Sequence, residues 1–107
     1  MKITLPNKQQ LDPISLSVSD DNLAIVQKDG SVFVAGSNDR YQCGTGTIKE
    51  QKNFQQVMVR ENRPLGNIIQ VLSMDGYTLM VDNDGYIWIC GNSGVIYTYA
   101  TRMRDVS

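Results

Sequence analysis

The chain has 107 residues, with ten Lys and Arg against eleven Asp and Glu, a net charge of −1 and no histidine. This length fits one small domain, and its scattered charges argue against a nucleic-acid partner or an acidic membrane held by bulk electrostatics. Two cysteines, Cys43 and Cys90, form neither a disulfide framework nor a metal site, so we expect free thiols in a reducing, cytoplasmic compartment. The chain shows neither a signal peptide nor an apolar run of the ~20 residues that a membrane span requires.

The first stretches of the chain predict short strands. Residues 1–5, MKITL, are β-prone, and Pro6 prevents continuation as a central strand because proline has no N–H to donate. Residues 14–18, ISLSV, alternate apolar and polar side chains, which predicts a strand whose apolar face is buried. Turn-forming residues at 19–22, SDDN, end that strand.

Residues 23–36, LAIVQKDGSVFVAG, predict a β-hairpin. The dipeptide Asp29-Gly30 favours a tight type I′ turn between two apolar arms. The second arm is apolar without alternation, so we expect both of its faces to be covered. The stretch returns at residues 78–91 as TLMVDNDGYIWICG, whose second arm predicts the same two-sided burial.

The remaining segments are also typical of an all-β chain. Residues 36–46 are glycine-rich and irregular, residues 54–59 predict an outer strand, and residues 60–67 a loop. Residues 68–72 match the strand at 14–18, and residues 95–101 predict a closing strand. No stretch has a convincing helical period over the length of a helix.

The two hairpins define a repeat of 55 residues. Asp84 minus Asp29 is 55, and Gly91 minus Gly36 is also 55. In this register the apolar positions of both hairpin arms coincide, with one exception. Periods of this size are typical of radial or solenoid repeats.

The segment after the first hairpin carries a family resemblance. Gly36-Ser-Asn38, followed by QCGTG at residues 42–46, resembles the repeat of the regulator of chromosome condensation family. That repeat runs strand, turn, Asp-Gly hairpin, Trp-Gly-x-Asn and Gly-Gln-Leu-Gly-x-Gly. Here Asn22 and Tyr77 replace its usual His, and Ala35 replaces its Trp. The resemblance implies a seven-bladed propeller, and the family's namesake is an exchange factor for the small GTPase Ran.

The predicted fold is all-β, with two four-stranded antiparallel blades of an incomplete β-propeller. One domain spans residues 1–107, with repeat one at about 14–59 and repeat two at about 69–101. A closed seven-bladed ring needs roughly 380 residues at this period. We therefore expect a fragment of a larger propeller, a chain that packs on another chain, or a reduced two-blade unit. Because blade faces are apolar, we predict self-association or packing against another chain through those faces.

Two groups of residues are candidates for partner binding. Asp20, Asp21 and Asp75 fall in turns where a propeller displays its binding face, either as an acidic contact strip or as ordinary turn residues. Tyr97 and Tyr99 are predicted to lie on one face of the last strand, where they either seal the edge or dock a partner.

No motif predicts catalysis, a metal or a cofactor. A calcium-loop register on Gly85 puts Met80 and Gly91 at required ligand positions, and both fail. The GTG at residues 44–46 lacks the lysine of a P-loop, and Cys43 has no histidine as a base. We therefore predict a non-enzymatic protein–protein interaction module, or scaffold, with no cofactor. The alternative is a guanine-nucleotide exchange factor-like regulator of a small GTPase, or a fragment of a larger propeller with that role, although no insertion long enough to form a wedge is visible.

Overall fold

The computed structural model describes residues 2–49 and 51–104, and in this part of the chain it has ten strands and one 3₁₀ turn, Pro6–Lys8. The strands are β1 (Pro13–Val18), β2 (Asn22–Gln27), β3 (Val32–Gly36), β4 (Gln51–Gln56), β5 (Met58–Arg60), β6 (Arg63–Pro64), β7 (Ile68–Met74), β8 (Tyr77–Asp82), β9 (Ile87–Asn92) and β10 (Ile96–Arg102). Strands β1–β4 form the first blade and β7–β10 the second, each antiparallel and in chain order, and β5 pairs with β6 between them. The predicted all-β fold with two four-stranded antiparallel blades is confirmed.

The 55-residue period holds for the inner strands and fails at the outer one. Strands β2 and β8 begin at Asn22 and Tyr77, and the difference 77 − 22 is 55. The outer strands β4 and β10 begin at Gln51 and Ile96, so 96 − 51 is only 45. The second copy therefore connects β9 to β10 by a short turn where the first copy has the glycine-rich loop between β3 and β4.

Each hairpin closes with a three-residue loop, so the predicted type I′ turn is wrong. Gln27 N donates to Ser31 O, and Gly30 N donates to Gln27 O, both at 2.9 Å. Gly30 has a φ of +87°, whereas Asp29 is outside the positive-φ region that a type I′ turn requires at both positions. The loop is thus a type I turn closed by a left-handed glycine, and the second hairpin repeats it around Gly85.

One apolar core lies between the two blades. It combines side chains from the facing sides of both sheets with residues from the connections: Ala24, Val26, Val32, Val34, Cys43, Val57, Leu65, Ile68, Val71, Met80, Cys90 and Ala100. Burial of this area is the main stabilising contribution to the two-blade unit.

The β3 part of the outer face of the first blade is covered by the chain itself. Phe33 and Ala35 point away from the second blade and form a second cluster with Leu5. Two-sided burial is therefore confirmed for β3. Residues 2–5 form no strand, contrary to the sequence-based prediction, because the segment packs Leu5 against the sheet and leads into the 3₁₀ turn. The predicted two-sided burial of the second arm at 87–90 is wrong at Ile87, whose side chain is 46% exposed.

Strand β1 has the opposite orientation from the one predicted. Its apolar side chains are the exposed ones: Ile14, Leu16 and Val18. Ser15 and Ser17 are half-buried and face the second blade. A hydroxyl-lined face is favoured there because it packs on the edge of β7, whose backbone N–H groups need acceptors.

The outer strand predicted at residues 54–59 is divided at Val57. Its N–H donates to Val32 O at 2.8 Å in the first blade, while its carbonyl accepts from Leu65 N at 3.0 Å. The chain therefore leaves the blade at this residue, and β5 begins a separate hairpin. The closing strand predicted at 95–101 is confirmed as β10, displaced by one residue.

Candidate functional site

The three candidate aspartates lie together at one end of the blades. Asp20, Asp21 and Asp75 line a depression of about 320 Å³ together with Ser19. The repeat explains this proximity because Asp20 and Asp75 hold equivalent places in the first turn of each blade. The Ser73 hydroxyl donates to the Ser19 hydroxyl oxygen at 3.0 Å and joins the two turns.

Electrostatics make this acidic depression a place for cationic groups. Arg40 is the neighbouring cation, with its Nη1 3.6 Å from Asp75 Oδ1, but the Asp75 side chain is 92% exposed. An ion pair so exposed contributes little because water and salt screen it. The carboxylates thus remain available to a partner. Sequence reasoning missed Arg40, which lies in the irregular loop and has no periodic signal.

Two further kinds of site are lacking in the part of the chain that the structure describes: metal-ligand groups and membrane-spanning helices. Among residues 2–49 and 51–104, no group of three or more His, Cys, Asp and Glu is placed to hold a metal ion. The same part of the chain has no helix with the length and hydropathy that a membrane crossing needs.

The two tyrosines lie away from the acidic depression, on β10. Tyr97 is opposite Gly91 of β9, and Tyr99 bridges to Thr45 on the other side of the strand. The Tyr99 ring occupies the space that a Cβ at Gly46 would need. Tyr99 therefore seals the β10 edge against the glycine-rich loop, while the docking role of Tyr97 stays a prediction.

Asn38 holds that glycine-rich loop in place. Its side-chain amide donates to Thr47 O and Lys49 O, both at 2.8 Å. Its Oδ1 accepts from Cys43 N at 3.0 Å. Asn38 is the Asn of the Gly-x-Asn motif, and its role here is to close the loop on itself.

The loop also joins the two blades. Gln42 O accepts from the Thr78 hydroxyl at 2.9 Å and from the Cys90 thiol at 3.5 Å. Cys43 and Cys90 are both free and buried. Burial raises the pKa of each thiol to about 12, so neither is a thiolate nucleophile near neutral pH.

The second blade exposes the side of its sheet that faces away from the first blade. This second-blade face consists of Gln70, Leu72, Met74, Tyr77, Leu79, Val81, Ile87, Ile89, Tyr97 and Thr101. Leu72 is 48% exposed and Ile87 46% exposed, and none of the side chains named on this face is charged. The signal in the sequence was the apolar run at 87–90, in which Ile87 is exposed while Ile89 on the same face is buried.

Two serines at the junction of the blades were also missed. Ser15 Oγ accepts from Val71 N at 3.2 Å, and Ser17 Oγ accepts from Ser73 N at 2.9 Å. The available signal was the serine at every second position of the ISLSVS stretch.

Comparisons with known proteins identify the fold. The family model of the regulator of chromosome condensation (RCC1) repeat matches residues 29–81. Human WBSCR16 superposes with a TM-score of 0.75 at 18% identity, over 90% of this chain and 26% of that chain. Prp20p from Saccharomyces cerevisiae superposes with a TM-score of 0.73 at 13% identity, over 95% of this chain and 26% of that chain. Yeast RCC1 (Prp20) bound to Kap60 superposes with a TM-score of 0.70 at 16% identity, over 96% of this chain and 25% of that chain. No curated protein matches the sequence.

The chain spans about a quarter of the length of each of these structures. At such low identity the superpositions show the fold alone. The family match begins at the first hairpin turn and ends within β8, so it crosses from one blade into the next. The matched model shows that residues 29–81 carry a repeat of the regulator of chromosome condensation (RCC1) type, and the two equivalent blades have the fold of the RCC1 structures.

Proposed function

We propose that the chain is a non-enzymatic protein–protein interaction module that binds a second copy of itself through the second-blade face. The observation that carries this proposal is the exposed, uncharged apolar surface around Leu72, Met74 and Ile87. Contiguous apolar patches on folded domains mark interaction sites because water contact with them is unfavourable. The free thiols support the expectation of a reducing, cytoplasmic compartment.

A second copy suits this face for two reasons. The face has no charges, so two identical faces meet without like-charge repulsion. Head-to-tail stacking is disfavoured because the chain's own segment around Leu5 already covers part of the opposite face of the first blade, at Phe33 and Ala35. One self-complementary face per chain produces a closed, two-fold dimer.

The dimensions of the face predict a weak dimer. Four strands about 4.8 Å apart, each of six or seven residues at about 3.4 Å, cover roughly 400 Å² per copy. A stable interface of standard size buries about 800 Å² per partner. We therefore expect dissociation at micromolar concentrations rather than an obligate dimer.

Sedimentation velocity over about 1–500 μM tests this proposal. The wild-type chain should shift from monomer to dimer across this range, and Leu72→Glu should remain a monomer because it places a charge in the buried contact. Ile96→Glu is the matched control, since Ile96 is 58% exposed but lies outside the second-blade face. A wild-type monomer at the highest concentration, or equal disruption by both variants, would overturn the proposal.

A second candidate function is regulation of a small GTPase. Its support is the similarity to Prp20p, whose structure was described together with its binding to Gsp1p and histones. The acidic depression offers three carboxylates to a cationic partner surface. The test is release of fluorescent GDP from a panel of small GTPases. Stimulation by catalytic amounts of the wild-type chain, lost in a triple Asp→Asn variant at positions 20, 21 and 75, would favour this function.

A further inference from the structure

Strands β1 and β7 are equivalent in the repeat but differ in burial. Val71 and Ser73 on β7 are 2% and 9% exposed. Leu16 and Val18, at the equivalent places 55 residues earlier, are 50% and 68% exposed. The equivalent strand positions are therefore buried in the second blade and exposed to solvent in the first.

The groups of β1 that cover the edge of β7 are serine hydroxyls. The N–H groups of Val71 and Ser73 point off the free edge of the second blade, and they donate to the hydroxyl oxygens of Ser15 and Ser17. Two hydroxyls at alternate positions of one strand thus satisfy two alternate N–H groups of the other. This spacing follows from the two-residue period of both strands.

The free edge of β1 has the same geometry. Ser19 N donates to Asn22 O at 2.9 Å, toward β2. Because the direction of N–H groups alternates along an antiparallel strand, those of Leu16 and Val18 point away from β2. Their apolar side chains lie beside these N–H groups in a continuous exposed row with Ile14.

We propose that the free edge of β1 binds an extended segment with Ser or Thr at alternate positions. The hydroxyl oxygens of that segment accept from the N–H groups of Leu16 and Val18, as Ser15 and Ser17 do on β7. The segment also covers the exposed side chains of Leu16 and Val18. The site continues the interface between the blades, since β1 contributes its other face to that interface.

The second blade of another copy does not meet this requirement. Gln70 and Leu72 hold the places equivalent to Ser15 and Ser17. Leu72 has no acceptor, so Val18 N–H would lose water without gaining a partner, which is unfavourable. The second blade of another copy is thus excluded, and the proposed occupant is a hydroxyl-bearing segment of another protein.

This inference rests on the proposed role as an interaction module and adds a second surface to it. Its test measures the amides of β1, whereas the dimer test measures mass. Failure at one surface is therefore distinguishable from failure at the other.

The experiment is a titration of the ¹⁵N-labelled full chain with a capped heptapeptide, PISLSVS, followed by amide chemical shifts. This peptide has the serine spacing of residues 13–19. The matched control is PIALAVS, which keeps the apolar residues and removes the two hydroxyls that correspond to Ser15 and Ser17. Leu16 and Val18 amides should shift in a saturable manner below about 5 mM, and the control should bind at least about tenfold more weakly for two lost hydrogen bonds.

Three outcomes would overturn the proposal. The first is an absence of shifts at Leu16 and Val18 up to about 5 mM peptide. The second is equal binding of the control peptide, which would show that the hydroxyls do not contribute. The third is a pattern of shifts at Val71 and Ser73, which would show that the peptide replaces β1 on β7 instead of binding the free edge. As a check on location, Val18→Lys in the protein should weaken binding because Val18 is exposed and contributes apolar contact.

Discussion

Replacing Asn38 by alanine should strongly destabilise the first blade. The Asn38 side chain is 1% exposed and makes three short hydrogen bonds, to Thr47 O, Lys49 O and Cys43 N. Alanine removes all three and leaves the Cys43 N–H buried without its acceptor. The glycine-rich loop then loses its internal support.

The expected loss follows from those bonds. Each contributes a net of about 0.5–1.5 kcal/mol, and a buried group left unpaired costs more than the average bond. Three bonds give about 2–4 kcal/mol, which is a large share of the stability of a small domain.

Urea unfolding followed by circular dichroism measures this change. Ser93→Ala is the matched control, because Ser93 holds the place equivalent to Asn38 in the second blade, where its side chain is exposed. The control should change the free energy of unfolding by less than about 0.5 kcal/mol. A loss below about 1 kcal/mol for Asn38→Ala, or similar losses for both variants, would refute the role given to Asn38.

The buried thiols of Cys43 and Cys90 should react with a disulfide reagent at pH 8 only as fast as the chain unfolds locally, because burial raises the pKa of each thiol to about 12. Rapid labelling of the native chain would contradict their burial. Gly46→Ala should lower the midpoint of urea unfolding, since the left-handed φ of +81° and the tyrosine ring packed on Gly46 both oppose a side chain; an unchanged midpoint would contradict that packing. The Trp88 indole N–H donates to Asp82 and, with other hydrogen bonds, holds the pKa of Asp82 below its usual range. A lowered folded-state pKa stabilises the chain above the unfolded-state value of about 3.9, and this contribution is lost as the pH falls through the folded-state value. The free energy of unfolding, followed by tryptophan fluorescence, should therefore fall less between pH ~5 and ~2 in Asp82→Asn than in the wild type, and equal slopes would contradict the assignment.

The sequence predicted the strands better than the faces they bury. The hairpins and their 55-residue spacing were readable because Asp-Gly turns and apolar arms are local signals. The same spacing placed Asp20 and Asp75 at equivalent turns, and the structure brings them together.

The orientation of β1 could not be predicted from the alternation of apolar and polar residues along the strand. Its serines face the second blade because they match the N–H groups of Val71 and Ser73, and those partners lie 56 residues further along the chain. The rule that apolar side chains face the core assumes that a strand packs on other side chains, whereas β1 packs on the backbone edge of β7. The prediction of a type I′ turn was wrong because one added loop residue changes the turn class without changing the Asp-Gly signal.

The role of Tyr99 depended on a contact that is distant in the chain. Its ring packs on Gly46, and this loop has no counterpart in the second repeat. The repeat register therefore gave no information about that edge, and the alternatives of sealing and docking could not be separated from the sequence.

The most direct test of the central claim is an isotope-filtered nuclear Overhauser experiment on an equal mixture of labelled and unlabelled chain at about 500 μM. If the second-blade face pairs with itself, intermolecular contacts should join the methyl groups of Leu72 and Ile87 to the same face of the other copy, and they should vanish in Leu72→Glu. Intermolecular contacts that map to other surfaces, or none at this concentration, would contradict the claim.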